Sequence, residues 1–195
     1  ITGYSLPPPT TPNLYTEAAV ADALSSIDGD IRDGDRVRAC FIEARPEVVF
    51  HLAARSIVRR SYADPLDTYS TNVMGTASVL EACRKLPGLK AVVIVTTDKC
   101  YVNREWVWGY REDDALGGYD PYSSSKAAAE LVTAAYRQSF FNAAAYPEHG
   151  VAIASARAGN GVGGGDWAED RLIPDAMKAF AKGEAVRIRH PHSTR

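Results

Sequence analysis

The chain has 195 residues, with 22 Lys plus Arg against 24 Asp plus Glu and a formal net charge of −2. That length suits one domain and is enough to bury a real core. The charge balance argues against a dedicated nucleic-acid binder, which carries a basic surplus, and no apolar run approaches the ~18 residues of a bilayer span.

A first strand is predicted over residues 1–6. Residues 6–12, with Pro7, Pro8, Pro9 and Pro12, are too proline-rich for regular structure. Helices follow over about 15–25 and 33–45, then a strand over 48–52. A long helix is expected over 64–86, opened by Asp64 as N-cap before Pro65 at the first helical position. Its residues Leu66, Tyr69, Val73, Leu80 and Cys83 fall at helical spacing. A strand over 91–96 leads into a loop over 102–119 that carries Trp106, Trp108 and Tyr110 without a clear period. Asp120-Pro121 opens a second long helix, over 121–142. A strand over 151–156 ends at a loop over 157–170 with five glycines between 159 and 165. A helix over 173–182 and a short strand over 185–189 complete the order. The runs at 48–52, 91–96 and 151–156 are near-continuous and apolar, as in strands buried on both faces. The alternation reads as α/β with a mainly parallel sheet.

Several residues fall where such a sheet does chemistry, beyond the carboxyl ends of its strands. Thr96, Thr97, Asp98 and Lys99 follow the run 91–95 directly. Tyr122 and Lys126 are four apart on a helix and share a face. A lysine ammonium there favours phenolate and lowers the Tyr122 pKa from ~10 toward a useful base. The plainer alternative is a surface tyrosine over a lysine stem. Asp30 follows a short extended stretch and can accept from an adenine amino group while Ile31 covers the ring. Leu52, Ala53 and Ala54 allow close packing of a flat or phosphorylated ligand, or simply make a tight turn. His51 sits in an apolar run and reads as a satisfied core histidine.

Taken in order, Asp30-Ile31, Leu52-Ala53-Ala54, Asn72, Thr97-Asp98 and Tyr122-x-x-x-Lys126 resemble the extended short-chain dehydrogenase/reductase family. The resemblance covers essentially all 195 residues. The stretches 70–76, 98–101, 118–123, 163–167 and 170–175, and the Trp-rich 103–112, are similar to the family's 4,6-dehydratases of CDP-glucose. The resemblance implies a Rossmann-type parallel sheet flanked by helices, incomplete, with the start of a smaller substrate-binding subdomain. Residues 1–160 would form the NAD-binding part and 161–195 the start of the substrate region. The cofactor implied is NAD, and the substrate a nucleotide sugar, CDP-glucose, converted to CDP-4-keto-6-deoxyglucose.

In that scheme Tyr122 takes the proton of the sugar 4-hydroxyl and Thr97 hydrogen-bonds the 4-oxygen. Asp98 protonates the departing 6-hydroxyl. Lys126 holds the nicotinamide ribose and lowers the Tyr122 pKa. Lys99 stands where related enzymes carry a glutamate that removes the C5 proton. Either it is the base, with a pKa well below ~10.4, or it positions the substrate. Asp30, Ile31, Leu52, Ala53, Ala54, Ser56 and Asn72, with Tyr122 and Lys126, are the implied cofactor residues. Asn160, Arg171, Leu172 and Arg195 are candidates for the nucleotide and diphosphate, where a planar guanidinium suits the phosphates. No metal is expected. A homodimer or higher homo-oligomer through helices 64–86 and 121–142 is implied.

The family's opening strand and glycine-rich turn are absent, so residues 1–6 read as its second strand and the chain as a fragment lacking both ends, inactive alone. Two rivals stand. A 4-epimerase has no use for an acid at a leaving 6-hydroxyl, and a non-catalytic nucleotide-sugar binding module has no use for the catalytic set. Cys40, Cys83 and Cys100 are widely spaced and form no CxxC pair. A reduced cytoplasmic setting is the expectation.

Overall fold

The computed structural model describes residues 1–189, 191 and 192. Five strands form two parallel sheets. β1 (Thr2–Ser5) pairs with β2 (Ser25–Asp28), with Thr2 opposite Ser25 and Ser5 opposite Asp28. β3 (Val48–His51), β4 (Ala91–Thr97) and β5 (Ala152–Ala158) form the second sheet in that order. Val48 lies opposite Ala91, and Thr97 opposite Ala158. The doubly wound order is 3-2-1-4-5-6. On that order β2-β1 correspond to strands 3-2 and β3-β4-β5 to 4-5-6, with a single strand's place between them. One continuous sheet was the expectation, and two are found, because no described strand bridges β1 and β3.

The helices are α1 (Leu14–Glu17), α2 (Gly34–Ala44), α3 (Val58–Ala63), α4 (Pro65–Tyr69), α5 (Gly75–Cys83), α6 (Pro121–Ser139), α7 (Tyr146–His149) and α8 (Leu172–Ala181). A five-residue π-helical segment, Ser70–Met74, joins α4 to α5, so the long helix expected at 64–86 is continuous but widened in its middle. Both expected caps are formed. Asp64 Oδ1 accepts from Asp67 N at 3.0 Å. Asp120 accepts from Ser123 N at 2.9 Å and from Ser123 Oγ at 2.6 Å, fixing where α6 begins.

Three expectations fail. The helix at 15–25 shrinks to α1 and a 3-10 turn, Val20–Asp22, because Ser25–Asp28 is drawn into β2 by pairing with β1. Residues 185–189 form no strand, having no described strand beside them. Among the described residues the sheet β3-β4-β5 is packed by helices on one face. Val37 of α2, Val79, Leu80 and Cys83 of α5, and Val49, Val92, Ile94 and Ile153 of the strands form one core on that face. Phe50 of β3 stands 64% exposed on the other. Leu80 is fully buried, and burial of a leucine is worth roughly 1.5–3 kcal/mol.

The core also sets the strand ends. Gly75 opens α5 against Ile31, and a Cβ there would lie 2.4 Å from Ile31 Cδ1. Tyr4 of β1 donates to the Asp30 carbonyl at 3.0 Å. His51 Nε2 lies 3.0 Å from Thr76 Oγ1, which itself donates to the Asn72 carbonyl at 2.7 Å. The hydroxyl's one proton is thus used, so His51 Nε2 carries the hydrogen of that bond. Burial first, and the Lys126 charge second, push the His51 pKa down to about 4.

Candidate active site

β4 delivers Thr97 at its carboxyl end, and a single 3-10 turn, Asp98–Cys100, follows at once. Thr97 Oγ1 donates to Asp98 Oδ1 at 3.0 Å and accepts from Lys99 N at 3.3 Å. The first turns of α6 face this strand end. Tyr122 N donates to Ser61 Oγ at 3.1 Å, tying the start of α6 to α3. Thr97 lies close enough to the Tyr122 phenol to act on it. Thr97, Asp98, Tyr122 and Lys126 are therefore brought together, with Lys99 half-buried beside them.

The electrostatics differ from expectation. Lys126 donates to the Val95 carbonyl oxygen at 3.0 Å. Burial pushes its pKa down to about 8, against the opposing pull of Glu130. Burial likewise raises the Tyr122 pKa, outweighing Thr97 and the Arg171 charge, while Asp98 and Asp120 push the same way as burial. The expected lowering of Tyr122 by Lys126 is not found. One ammonium donor goes to a backbone carbonyl of β4, and desolvation governs the phenol.

Asn72 is 1% exposed and sits in the π-helical segment. Its Oδ1 accepts from Arg55 N at 2.8 Å, and its Nδ2 donates to Arg55 O at 3.1 Å and to Ser125 Oγ at 2.8 Å. One side chain thus fastens the loop after β3 to α6 beside Lys126. In that loop Leu52 is exposed, and Ala53 and Ala54 are half-buried. Ser56 Oγ accepts from Arg171 Nη2 at 3.2 Å, and Arg171 Nη1 donates to Asp166 at 3.1 Å. Arg171 also acts on Tyr122. Asn160 and Leu172 are exposed. Arg195 lies outside the described residues.

At β2 the expectation is half met. Arg32 Nε donates to both Asp30 oxygens at 3.0 Å, and Arg32 Nη1 to Asp67 at 2.7 Å. Asp67 also pairs with Arg55 Nε at 2.6 Å, so the end of β2 and the loop after β3 meet. The Arg32 bond holds the Asp30 carboxyl below its usual range. Ile31 is buried against Gly75, so its side chain is not the open platform expected of it.

A cleft of about 1040 Å³ opens beside this group. Asp98, Lys99, Trp106, Trp108, Glu130 and Arg157 are among the residues that line it. Its aromatic wall is a folded loop. Tyr101 pairs with Leu116, and the Tyr101 and Tyr110 rings stack at 5.0 Å. Arg157 donates to Tyr101 OH at 2.9 Å and to the Glu112 carbonyl at 3.0 Å. Tyr122 and Lys126 do not line this cleft.

Sequence reasoning missed Glu130. It is 4% exposed and accepts from Thr96 Oγ1, from Ser155 Oγ at 2.8 Å and from Arg157 Nη2 at 3.0 Å. Burial pushes its pKa up, but the bonds from Arg157, Thr96 and Ser155 outweigh it and hold the carboxyl below its ordinary range. The available signal was its place four residues after Lys126, which puts it on the same helix stripe as Tyr122 and Lys126.

A sequence model of the GDP-mannose 4,6 dehydratase family matches residues 10–151. The chain is 55% identical over 195 residues to the CDP-glucose 4,6-dehydratase of Salmonella typhimurium, covering all of this chain and 54% of that protein. It is 34% identical over 158 residues to the dTDP-glucose 4,6-dehydratase of Streptomyces griseus, covering 81% of this chain and 44% of that protein. The dTDP-glucose 4,6-dehydratase of Bacillus anthracis, solved in complex with NAD, matches with TM-score 0.77 at 25% identity, over 95% of this chain and 54% of that one. The UDP-glucose 4-epimerase of Brucella ovis, also solved with NAD, matches with TM-score 0.68 at 28% identity, over 82% of this chain and 48% of that one. The chain spans about half the length of the curated relatives it matches. Parallel strands, a reactive set at the end of β4 and the family match over 10–151 agree: the chain belongs to the GDP-mannose 4,6 dehydratase family.

Proposed function

We propose that the whole protein dehydrates CDP-glucose to CDP-4-keto-6-deoxyglucose with NAD as resident cofactor. The observation that carries this is the juxtaposition of Tyr122 with Thr97 and Asp98 at the end of β4. The 55% identity to a CDP-glucose 4,6-dehydratase supports the substrate.

The chain's own residues fit a dinucleotide. Exposed Leu52 and half-buried Ala53 and Ala54 let backbone approach a flat ligand at the end of β3. Ser56 lies in the same loop. Asp30 stands at the end of β2, its carboxylate held by Arg32, so an adenine amino group would share the acid with that guanidinium. Lys126 has three donors, of which one goes to Val95. Asn72 holds the loop and α6 in fixed relation. Bound NAD would supply the hydride acceptor for C4 and the hydride donor for C6.

The remaining steps belong to side chains. Tyr122 takes the proton from the 4-hydroxyl while Thr97 steadies the 4-oxygen. The ketone at C4 acidifies the C5 proton. Lys99 removes that proton, Asp98 gives a proton to the 6-hydroxyl as it leaves as water, and Lys99 delivers a proton exchanged with solvent back to C5 when C6 is reduced. Asn160, Arg171, Leu172 and Arg195 serve the nucleotide and diphosphate. Residues 1–160 form the cofactor part and 161–195 the start of the substrate region. The Asp98-Lys99 pair disfavours a 4-epimerase, which expels no hydroxyl.

Among the described residues no helix is long and apolar enough to cross a membrane. Cys40, Cys83 and Cys100 are buried free thiols, which suits a cytoplasmic setting. Leu66, Met74 and Leu131, on or beside α4, α5 and α6, are 80%, 60% and 61% exposed, which supports a homodimer through these helices. A monomeric mass by light scattering would reject the dimer. Incubating the whole protein with NAD and, separately, CDP-, UDP- and dTDP-glucose tests the substrate. A product lighter by one water from CDP-glucose in preference to the others is expected, and preference for another base would overturn the assignment.

A further inference from the structure

Tyr122, Lys126 and Glu130 are spaced four apart and form one stripe along α6. Three consecutive residues of β4 meet that stripe. Val95 takes the Lys126 ammonium at its carbonyl, Thr96 donates to Glu130, and Thr97 acts on the Tyr122 phenol. The second Glu130 oxygen takes Ser155 and Arg157 from β5. Arg157 runs on to Tyr101 and Glu112, whose loop walls the cleft beside Asp98 and Lys99. A single carboxylate therefore pins the catalytic helix to two strands and to the aromatic loop.

A buried ion pair is a poor source of stability, since apolar residues of the same volume do as well or better. Its use is to define one arrangement. We propose that Glu130 is a positioning residue for the dehydratase chemistry. It locks the turn of α6 carrying Tyr122 and Lys126 against Thr97 and Asp98, and its carboxylate, one helical turn from Lys126, sets the charge that Lys126 meets on that face. This rests on the dehydratase reading only for its effect on turnover.

The groups facing Lys126 can be named. Glu130 and Tyr122 lie on its own helix, and His51 faces it from β3. β4 contributes the Val95 carbonyl and the hydroxyls of Thr96 and Thr97. Asn72 and Thr76, packed behind, do not titrate. Among these Glu130 is the acid, and its charge raises the Lys126 pKa against burial.

The test uses the whole protein with its lysines 13C-labelled at Cε and the Lys126 resonance assigned by its loss in Lys126→Met. Glu130→Gln keeps the shape and removes the charge. The Lys126 titration midpoint is expected to fall by about one pH unit, a ten-fold change in its acid constant. In turnover of CDP-glucose, kcat falls at least about ten-fold while KM changes less than about three-fold, because ground-state nucleotide contacts are untouched. Glu130→Asp, which restores the charge, returns the midpoint. An unmoved midpoint in Glu130→Gln, or a loss expressed in KM alone, overturns the proposal. Should Glu130→Gln not fold, Thr96→Val decides. It keeps the charge and cuts one tie, so kcat falls several-fold at constant KM, and an unchanged kcat overturns the positioning role. If the wild-type protein converts no CDP-glucose, the dehydratase reading falls, and the midpoint shift still decides whether Glu130 holds the Lys126 charge.

Discussion

Lys126 Nζ donates to the Val95 carbonyl oxygen at 3.0 Å, in a site where only 6% of the residue is exposed. An ammonium so placed works against folding. Its pKa is about 8 in the fold against an ordinary 10.5. Below about pH 8 the folding penalty is therefore fully present, and it is relieved as pH rises from about 8 through 10.5. The penalty is roughly 3 kcal/mol. Lys126→Met is accordingly expected to raise unfolding stability at pH 7 by about 1–3 kcal/mol, with the gain fading above ~pH 10. The same variant abolishes turnover. Urea melts across pH check this, and a less stable Lys126→Met at pH 7 contradicts it.

His51 predicts the opposite edge of the pH range. Its folded pKa of about 4 lies below the ordinary 6.5. The unfolded chain therefore binds a proton that the fold refuses between those values. Stability is whole above about pH 6.5 and is lost progressively down to about pH 4, by roughly 3 kcal/mol. His51→Gln keeps a partner for Thr76 and cannot titrate. Its acid-unfolding slope is expected to be shallower than wild type over that interval, and identical slopes would assign the acid sensitivity elsewhere.

Gly118 has φ of +154°, and a Cβ there would lie 2.5 Å from the backbone of Ser123 and Ser124. Backbone atoms cannot give way cheaply, so Gly118→Ala must displace the first turn of α6, which carries Tyr122. A stability loss of about 1–3 kcal/mol is expected from the overpacking. A larger proportional fall in kcat follows, because a shift of about 1 Å at the reacting group can cost 10²-fold. Gly109→Ala is the control, since its Cβ would meet nothing within 4 Å. Equal behaviour of the two variants would contradict this account.

Tyr122→Phe and Lys99→Met separate two steps of the reaction. Tyr122→Phe removes the base for C4 oxidation, so kcat falls by roughly 10²–10⁴ while CDP-glucose still binds. Lys99→Met leaves oxidation intact and stalls before loss of water. Reduced cofactor accumulates in a single turnover of Lys99→Met and not of Tyr122→Phe. Water loss at the wild-type rate in Lys99→Met would make Lys99 a positioning group.

Much of this arrangement was legible from local chemistry. Asp64-Pro65 and Asp120-Pro121 announce helix starts by a rule that needs no tertiary context, and both caps form. The run from Ala91 to Thr97 is a buried strand by composition, and the residues after it fall at the sheet's reactive edge. What failed depended on partners far along the chain. Ser25–Asp28 is short and polar, and only pairing with Thr2–Ser5 makes it a strand. Val48 and Phe50 are apolar as in a strand buried on both faces, yet stand exposed where no described helix covers them. Ile31 faces α5 rather than a ligand because Gly75 leaves room for it. Nothing local marks Glu130 as buried, and only the convergence of Thr96, Ser155 and Arg157 from two strands gives it a buried role.

The most direct test of the central claim is turnover of CDP-glucose by the whole protein with NAD in deuterated water, with the sugar followed by mass spectrometry. The account predicts loss of one water together with one solvent deuterium at C5. An unchanged sugar despite demonstrated NAD binding, or loss of water without deuterium at C5, would contradict it.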